Sequence, residues 1–212
     1  SAAAYRDQLL NMFALPGTLV VMALREESAG VFEAAAVPVL YCGVGKVNAA
    51  IALTRELRRY VHAGQPPPLV VNFGSAGSRV HATGTLLACH EFIQRDMDVR
   101  GLGFALGVTP YDEAPALLWF EPRFVHLHAA ICGSGDSFAT AAGTVECGVV
   151  DMEAYALAKV CWLEDAPFAC AKYVTDGADH AAADDWRRNV HKAAEDFLAL
   201  YRGIESSRKS GR

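Results

Sequence analysis

Val150-Asp151-Met152-Glu153-Ala154 marks the point where a buried strand is predicted to pass into a helix. The run from Glu146 to Val150 is short and apolar, and it is β-branched toward its end. The residues that follow show helical spacing, with apolar side chains at Met152, Ala156, Val160 and Leu163. Asp151 is open to a simple interpretation as a helix cap, because acids are favoured in a first helical turn. Glu153 indicates more than a helix cap, because other predicted strands also end near an acidic residue.

Outward from this stretch, strands and helices alternate along the chain. Apolar and β-branched runs predict strands over 18–22, 37–42, 69–72, 86–93, 124–131, 146–150 and 167–174. Helices are predicted over 2–15, from the Gly43 turn to about 61, after Asp151, and after a cap at Asp184 or Asp185. Residues 101–122 show no clear hydrophobic periodicity, so no helix or strand is predicted there. The alternation predicts a three-layer α/β sandwich with a central mixed twisted sheet and a site along one sheet edge.

The length and composition of the chain predict one domain over 1–212, with an N-terminal extension over 1–16 and a flexible tail over 204–212. Hydrophobic residues make up 52% of the chain and charged residues 20%, which favours a compact globular protein over a disordered one. A net charge of -5 argues against a nucleic-acid or anionic-lipid partner. No apolar stretch reaches the length of a membrane span, and the six cysteines form no CxxC pair. We therefore expect a soluble cytoplasmic protein with free thiols.

Two small-residue loops follow predicted strands. Gly43 and Gly45 lack the third glycine of a dinucleotide fingerprint, where Asn48 stands, and Val47 replaces the hydroxyl residue of a phosphate loop. We interpret them as a tight turn that brings the backbone close to another group. The loop Phe73–Ser78 could hold a water, a sugar hydroxyl or an anion, or it could be a plain turn.

Three carboxylates come at predicted strand ends: Glu27, Glu153 and Asp176. No histidine or cysteine spacing suits a metal, and no GxSxG elbow is present, so neither a metal nor a cofactor is predicted. His126, within a predicted apolar strand, is interpreted as a core residue. Paired acids suit glycosidic cleavage, which needs a protonated leaving group, an activated water and negative charge near the sugar.

Five motifs, in order, resemble those of the nucleoside phosphorylase superfamily, and within it they are most similar to 5′-methylthioadenosine/S-adenosylhomocysteine nucleosidases. The resemblance covers most of the chain from about residue 20 to residue 201. The motifs are Gly43-Val44-Gly45-Lys46-Val47-Asn48-Ala49-Ala50, Asn72-Phe73-Gly74-Ser75-Ala76-Gly77, Ser134-Gly135-Asp136-Ser137-Phe138, Val150-Asp151-Met152-Glu153-Ala154 and Thr175-Asp176-Gly177-Ala178-Asp179.

The resemblance implies hydrolysis of the N-glycosidic bond of a 5′-modified purine nucleoside. It makes Asp176 the general acid that protonates the purine N7. It makes Glu27 the base that activates water, with Glu26 in its place if the register shifts by one. Ser75 would hold the water or the sugar.

The resemblance also implies a set of substrate-binding residues. Glu153 and the backbone of Met152 would bind the ribose hydroxyls. Phe138 would stack on the base, and the backbone of Ala139 would read the edge of the base. The pocket for the 5′-substituent would be apolar and would include Leu24, Val44, Val99, Leu102 and Trp186. Trp186 fits either an aromatic lid or a core residue at a helix start. A homodimer is implied as well.

The chain departs from the family pattern in three places. The segments 103–134 and 138–153 are shorter than in typical nucleosidases of the family. Lys172 stands where the family usually has an arginine, and residues 106–110 lack the family's usual Gly-Gln-x-Pro-Gly loop. The substrate could therefore be another 5′-modified adenosine, such as a futalosine. Two alternatives stay open. One is phosphorolysis, for which Arg25 and Arg79 are the candidate phosphate ligands. The other is a non-catalytic nucleoside-binding module.

Overall fold

The computed structural model of the protein describes residues 17–141, 143 and 145–210. The strands in this part are β1 (Thr18–Met22), β2 (Val39–Tyr41), β3 (Leu69–Gly77), β4 (Leu86–Gln94), β5 (Leu117–Trp119), β6 (His128–Ser134), β7 (Val149–Asp151) and β8 (Phe168–Asp176). The helices are α1 (Arg25–Ser28), α2 (Val31–Ala34), α3 (Lys46–His62), α4 (Ala154–Leu163), α5 (Ala182–Asn189) and α6 (Ala194–Ser210). The helix predicted over 2–15 lies outside the described residues.

The strands form one mixed sheet in the order β2-β1-β3-β7-β6-β4-β5. Strand β8 pairs with β3 in parallel and with β4 in antiparallel orientation. The pairings of β3, β8, β4, β6 and β7 therefore close into a ring. The register brings Gly77 opposite Asp176 and Ser134 opposite Asp151, so these strand ends meet at one end of the ring.

Two apolar cores lie on opposite faces of the sheet, because successive strand residues point to opposite sides. Val21 belongs to one core, with residues of α3 and α4 such as Leu53 and Leu157. Val20 and Met22 belong to the other, with Phe32 of α2 and Phe197 of α6. This arrangement confirms the predicted three-layer α/β fold.

Several predicted bounds were wrong. Strand β3 runs through Gly77, where a loop was predicted from Phe73, because its small residues keep pairing with β8. Strand β6 starts at His128, and His126 is exposed in the preceding turn rather than buried in the core. The last helix is two helices, with Asp184 and Asp185 inside the first turn of α5. Helix α6 continues to Ser210, through most of the predicted tail.

The segment 101–122, left without an element by its sequence, contains the short edge strand β5, which pairs with β4. None of the helices in the described residues is long and apolar enough to span a membrane.

Candidate active site

A cavity of about 320 Å³ opens where the strand ends meet. Of the twelve predicted site residues, ten line it: Leu24, Glu27, Val44, Ser75, Phe138, Ala139, Met152, Glu153, Asp176 and Trp186. Val99 is half-buried in the segment after β4 and is not among the lining residues. Leu102, predicted for the same pocket, is 72% exposed and does not line it either, whereas Val44 does.

Asp176 is the last residue of β8 and is buried beside Gly77 of β3. Its carboxylate accepts hydrogen bonds from the Thr175 hydroxyl at 2.8 Å and the Ala178 N–H at 3.0 Å. Burial raises the pKa of Asp176 above its usual value, and these two hydrogen bonds oppose the shift only in part. Asp176 is therefore a carboxyl group that holds a proton more readily than an exposed aspartate.

Glu27 lies on the short helix α1, which follows β1 directly, and is 4% exposed. One carboxylate oxygen accepts the N–H groups of Ala23 at 2.9 Å and Leu24 at 3.1 Å. The other accepts the N–H of Ser75 at 2.8 Å and its hydroxyl at 3.0 Å. Four donors thus fix the carboxylate at the wall of the cavity, while Glu26 is exposed.

Ser75 also receives a hydrogen bond at 3.1 Å from the indole N–H of Trp186. That contact ties α5 to the strand that carries Ser75. Trp186 lines the cavity with Ala183, which lies one helical turn earlier.

Glu153 precedes α4 and is 7% exposed. Its Oε1 accepts the N–H of Gly45 at 2.8 Å, so the glycine turn does bring backbone to a partner. Burial and the charge of Asp151 raise the pKa of Glu153 to about 8. Glu153 is therefore largely protonated at neutral pH.

Asp151 acts both as a cap and as a charge partner. Its Oδ2 accepts the N–H of Ala154 at 2.9 Å and lies 2.8 Å from Lys172 Nζ. Its other oxygen accepts the Ser134 hydroxyl. Burial alone would raise the pKa of Asp151, but the Lys172 charge and these hydrogen bonds outweigh it and lower the pKa. Within the described residues, Lys172 is the one lysine or arginine that is fully buried.

The segment after β6 also lines the cavity. Phe138 presents a ring that is 45% exposed, and Ala139 follows it. The Arg95 guanidinium donates to the Ser137 carbonyl and to its hydroxyl, the latter at 3.2 Å, and so braces this segment. The cavity can thus hold a flat ring at Phe138 and polar groups at Glu27, Glu153 and Asp176.

Known proteins with curated names match most of the chain. A 5′-methylthioadenosine/S-adenosylhomocysteine nucleosidase from Geobacillus thermodenitrificans is 32% identical over 203 residues, which cover 85% of this chain and 84% of that protein. The protein of the same name from Marinomonas sp. is 30% identical over 188 residues, covering 78% and 79%. The chain belongs to the 5′-methylthioadenosine/S-adenosylhomocysteine nucleosidase family.

A solved structure supports the family fold. The Helicobacter pylori nucleosidase, bound to an amino-pyrrolopyrimidine joined to a pyrrolidine, has a TM-score of 0.77 and 19% identity. The match covers 91% of this chain and 99% of that one. No family model matches the chain.

Within this nucleosidase-family fold, the sequence did not reveal the contacts of Asp151, Lys172 and Arg95. For Lys172 the sequence gave one signal, a lone charged residue within the apolar run of β8. For Asp151 the sequence suggested only a helix cap. Arg95 gave none, because its partners lie about forty residues away in the chain.

Proposed function

We propose that this protein hydrolyses the N-glycosidic bond of a 5′-modified adenosine, such as methylthioadenosine or S-adenosylhomocysteine. The names of its relatives support this substrate class. The observation that carries the proposal is that Asp176, Glu27 and Glu153 line one cavity with Phe138.

Asp176 is the proposed general acid. Cleavage leaves a pair of electrons on the base, and protonation at the purine N7 makes the base a better leaving group. An acid for this step has to carry its proton near neutral pH, and burial at the end of β8 shifts Asp176 in that direction.

Glu153 is the proposed ribose ligand. Its other carboxylate oxygen can accept hydrogen bonds from the sugar hydroxyls, and Met152 lines the cavity next to it in the chain. As the glycosidic bond breaks, positive charge develops on the sugar, and an ionised Glu153 stabilises that charge. The developing positive charge therefore favours ionisation of Glu153, whose pKa is raised by burial and by Asp151.

Glu27 is the proposed base. A water bound at Glu27 and Ser75 would give a proton to the carboxylate while its oxygen bonds to the sugar carbon. Asp176 gives its proton to the base, Glu27 receives one from water, and the products are a free purine and a free sugar.

The surroundings of Glu27 support water rather than phosphate as the attacking group. Its carboxylate already uses the N–H and hydroxyl of Ser75, and its charge would repel an anion. Of the two arginines considered for phosphate, Arg25 lies over the ring of Tyr41 at 4.6 Å, and Arg79 donates to the Ala178 carbonyl. Neither lines the cavity.

The test is to incubate the purified protein with methylthioadenosine, with and without phosphate, and to identify the sugar. We expect adenine and free methylthioribose at a rate that phosphate does not change. A sugar 1-phosphate would establish phosphorolysis instead. Tight binding without release of adenine would establish the non-catalytic module.

We further propose a homodimer. Val44, Val47 and Ile51, around the start of α3, are 42, 67 and 45% exposed, and Val44 lines the cavity. A second copy that covers them would remove apolar surface from water. Sedimentation equilibrium should give twice the 22.7 kDa of one chain, and a monomer at micromolar concentration would contradict this.

We also propose that the protein works in the cytoplasm. All six cysteines are free, and five of them are buried, as expected in a reducing compartment. Cell fractionation followed by immunodetection tests this, and recovery of the protein outside the cytoplasmic fraction would contradict it.

A further inference from the structure

Lys46, the first residue of α3, joins three separate segments around the cavity. Its ammonium donates at 2.9 Å to Gln94, the last residue of β4, and at 2.6 Å to Asp96, two residues later. Its backbone N–H donates to Asp136 Oδ1 at 2.7 Å. The N–H of Asp136 in turn donates to Asp96 Oδ2 at 2.8 Å. Lys46, Asp96 and Asp136 therefore form a closed ring of hydrogen bonds, named here the Lys46 clamp.

The clamp adjoins both halves of the proposed substrate site. Gly45, the residue before Lys46, donates its N–H to Glu153 on the ribose side. Asp136 lies two residues before Phe138 on the base side. As far as the structure describes the chain, none of the three clamp residues lines the cavity itself. Any effect of the clamp on a ligand must then act through the segments that it holds.

The contacts are of a kind that fixes geometry. Hydrogen bonds between charged groups are shorter and stronger than neutral ones. The Lys46 side chain is 16% exposed and that of Asp96 31%, so water screens the pair only in part. Burial would raise the pKa of Asp96, but Lys46 and the Asp136 amide outweigh it and lower the pKa.

The backbone at Gly45 fits the same purpose. Gly45 has a φ of 95°, and a Cβ there would lie 3.1 Å from the Asp136 carboxylate. Glycine thus permits the close approach between the ribose-side turn and the base-side segment.

We propose that Lys46 is a positioning residue that holds the ribose side and the base side of the cavity at a fixed separation. The proposal rests on the proposed function, because it takes Phe138 as the base side and Glu153 as the ribose side. It follows that a ligand spanning both sides should depend on Lys46 far more than a ligand that occupies the base side alone.

The experiment measures binding in an Asp176→Asn background, so that no turnover interferes. Methylthioadenosine spans both sides, and adenine fills one. Lys46→Met removes the ammonium but keeps most of the side-chain length, and Lys46→Arg restores a cation. Lys159→Met is the matched control, because Lys159 forms a similarly half-buried pair with Asp112 away from the cavity.

We expect Lys46→Met to weaken methylthioadenosine binding by at least about tenfold, in line with the cost of a misplaced binding group. Adenine binding should stay within about threefold, the scale of a single partly exposed ion pair. Arginine should restore most of the loss, and Lys159→Met should leave both affinities unchanged. Methylthioadenosine binding that is unchanged by Lys46→Met, or an equal loss for both ligands, would overturn the proposal.

Turnover by the unmodified protein separates the two proposals. If it releases adenine while Lys46→Met binds normally, the clamp fails and the proposed function stands. If it releases none while binding of methylthioadenosine depends on Lys46 as described, the proposed function fails and the clamp stands. If the Asp176→Asn parent binds neither ligand, the clamp proposal is overturned, and turnover by the unmodified protein alone decides the proposed function.

Discussion

At the scale of single residues, the three carboxylates with proposed roles in the reaction differ because their surroundings differ. Asp176 is buried next to two hydrogen-bond donors, Glu27 has four donors, and Glu153 has one donor and lies near the charged Asp151. Burial penalises the charged form, and donors to the carboxylate stabilise it. The four donors therefore hold the Glu27 carboxylate in place. Burial shifts Asp176 and Glu153 toward the protonated form.

The first expectation concerns Asp176. Asp176→Asn keeps the size of the side chain but removes the transferable proton, so kcat for adenine release should fall by about 10²–10⁴-fold. Steady-state kinetics measure this, with calorimetry to confirm that the variant folds. Asp165→Asn makes the same change at an exposed turn and should leave kcat unaltered. Near-normal kcat in Asp176→Asn would rule out Asp176 as the acid.

The second expectation concerns pH and Glu153. A carboxyl group with a raised pKa keeps its proton in the folded state while the unfolded chain loses it, so the free energy of unfolding falls as pH rises from about 4.5 to about 8. Glu153→Gln removes that effect. It should stabilise the ligand-free protein at pH 8 by roughly 1–3 kcal/mol, and the difference should shrink below about pH 5.

Urea unfolding of both proteins across this range provides the measurement. An equal difference between wild type and Glu153→Gln at all pH values would show that folding does not raise the pKa of Glu153.

At the scale of secondary-structure elements, β8 and the strand-to-helix passage from β7 to α4 are joined by the buried Lys172–Asp151 pair. Removal of one member leaves an uncompensated buried charge. Lys172→Met should therefore lower the free energy of unfolding by about 3–5 kcal/mol, as for other broken buried pairs.

The double variant Lys172→Met/Asp151→Asn tests the cause. It should lose less than the sum of the two single variants, because no unpaired charge remains. Additive losses in chemical denaturation would mean that the pair does not couple the two elements.

A glycine in β3 sets the position of the proposed acid in β8. A Cβ on Gly77 would lie 2.6 Å from Asp176 Oδ1, so Gly77→Ala must displace the carboxyl group. We expect kcat to fall by about 10-fold or more with a smaller change in KM, since misplacement of a reacting group acts on the chemical step. Gly203→Ala is the control, because a Cβ added at Gly203 would meet no atom within 4 Å outside its own helix backbone. Equal kcat values in the two variants would contradict this role.

The elements that sequence patterns predicted well are those with strong local periods. Helix α3 and strands β1, β4 and β8 were placed within a few residues. The end of β3 was missed because Gly74, Ser75 and Gly77 are turn-forming residues, which are kept extended by pairing with β8 and, at Gly77, also with β7. A local pattern does not contain that partner.

At the scale of the whole molecule, ring closure of the sheet explains how distant acids meet. Parallel pairing of β1 with β3 and of β3 with β8 aligns the ends that lead to Glu27, Ser75 and Asp176. The contact of β3 with β7 then adds Glu153. The resemblance of ordered motifs predicted this gathering, since strand ends are where such folds place their sites.

The contacts that hold the site together were less predictable. Lys46 and Asp96 are fifty residues apart, and Asp151 and Lys172 come from different strands. Such pairs depend on the register of the strands and on closure of the sheet into a ring. Neither can be predicted from a local sequence pattern. The acids could be predicted from the motifs, but the charges that position them required the fold.

A crystal structure of the Asp176→Asn variant with methylthioadenosine is the most direct measurement of the central claim. The account predicts the purine N7 at about 2.7–3.2 Å from the side chain of residue 176, the ribose hydroxyls at Glu153 and the base against Phe138. A nucleoside bound away from these three side chains, or with its base at Glu27, would contradict it.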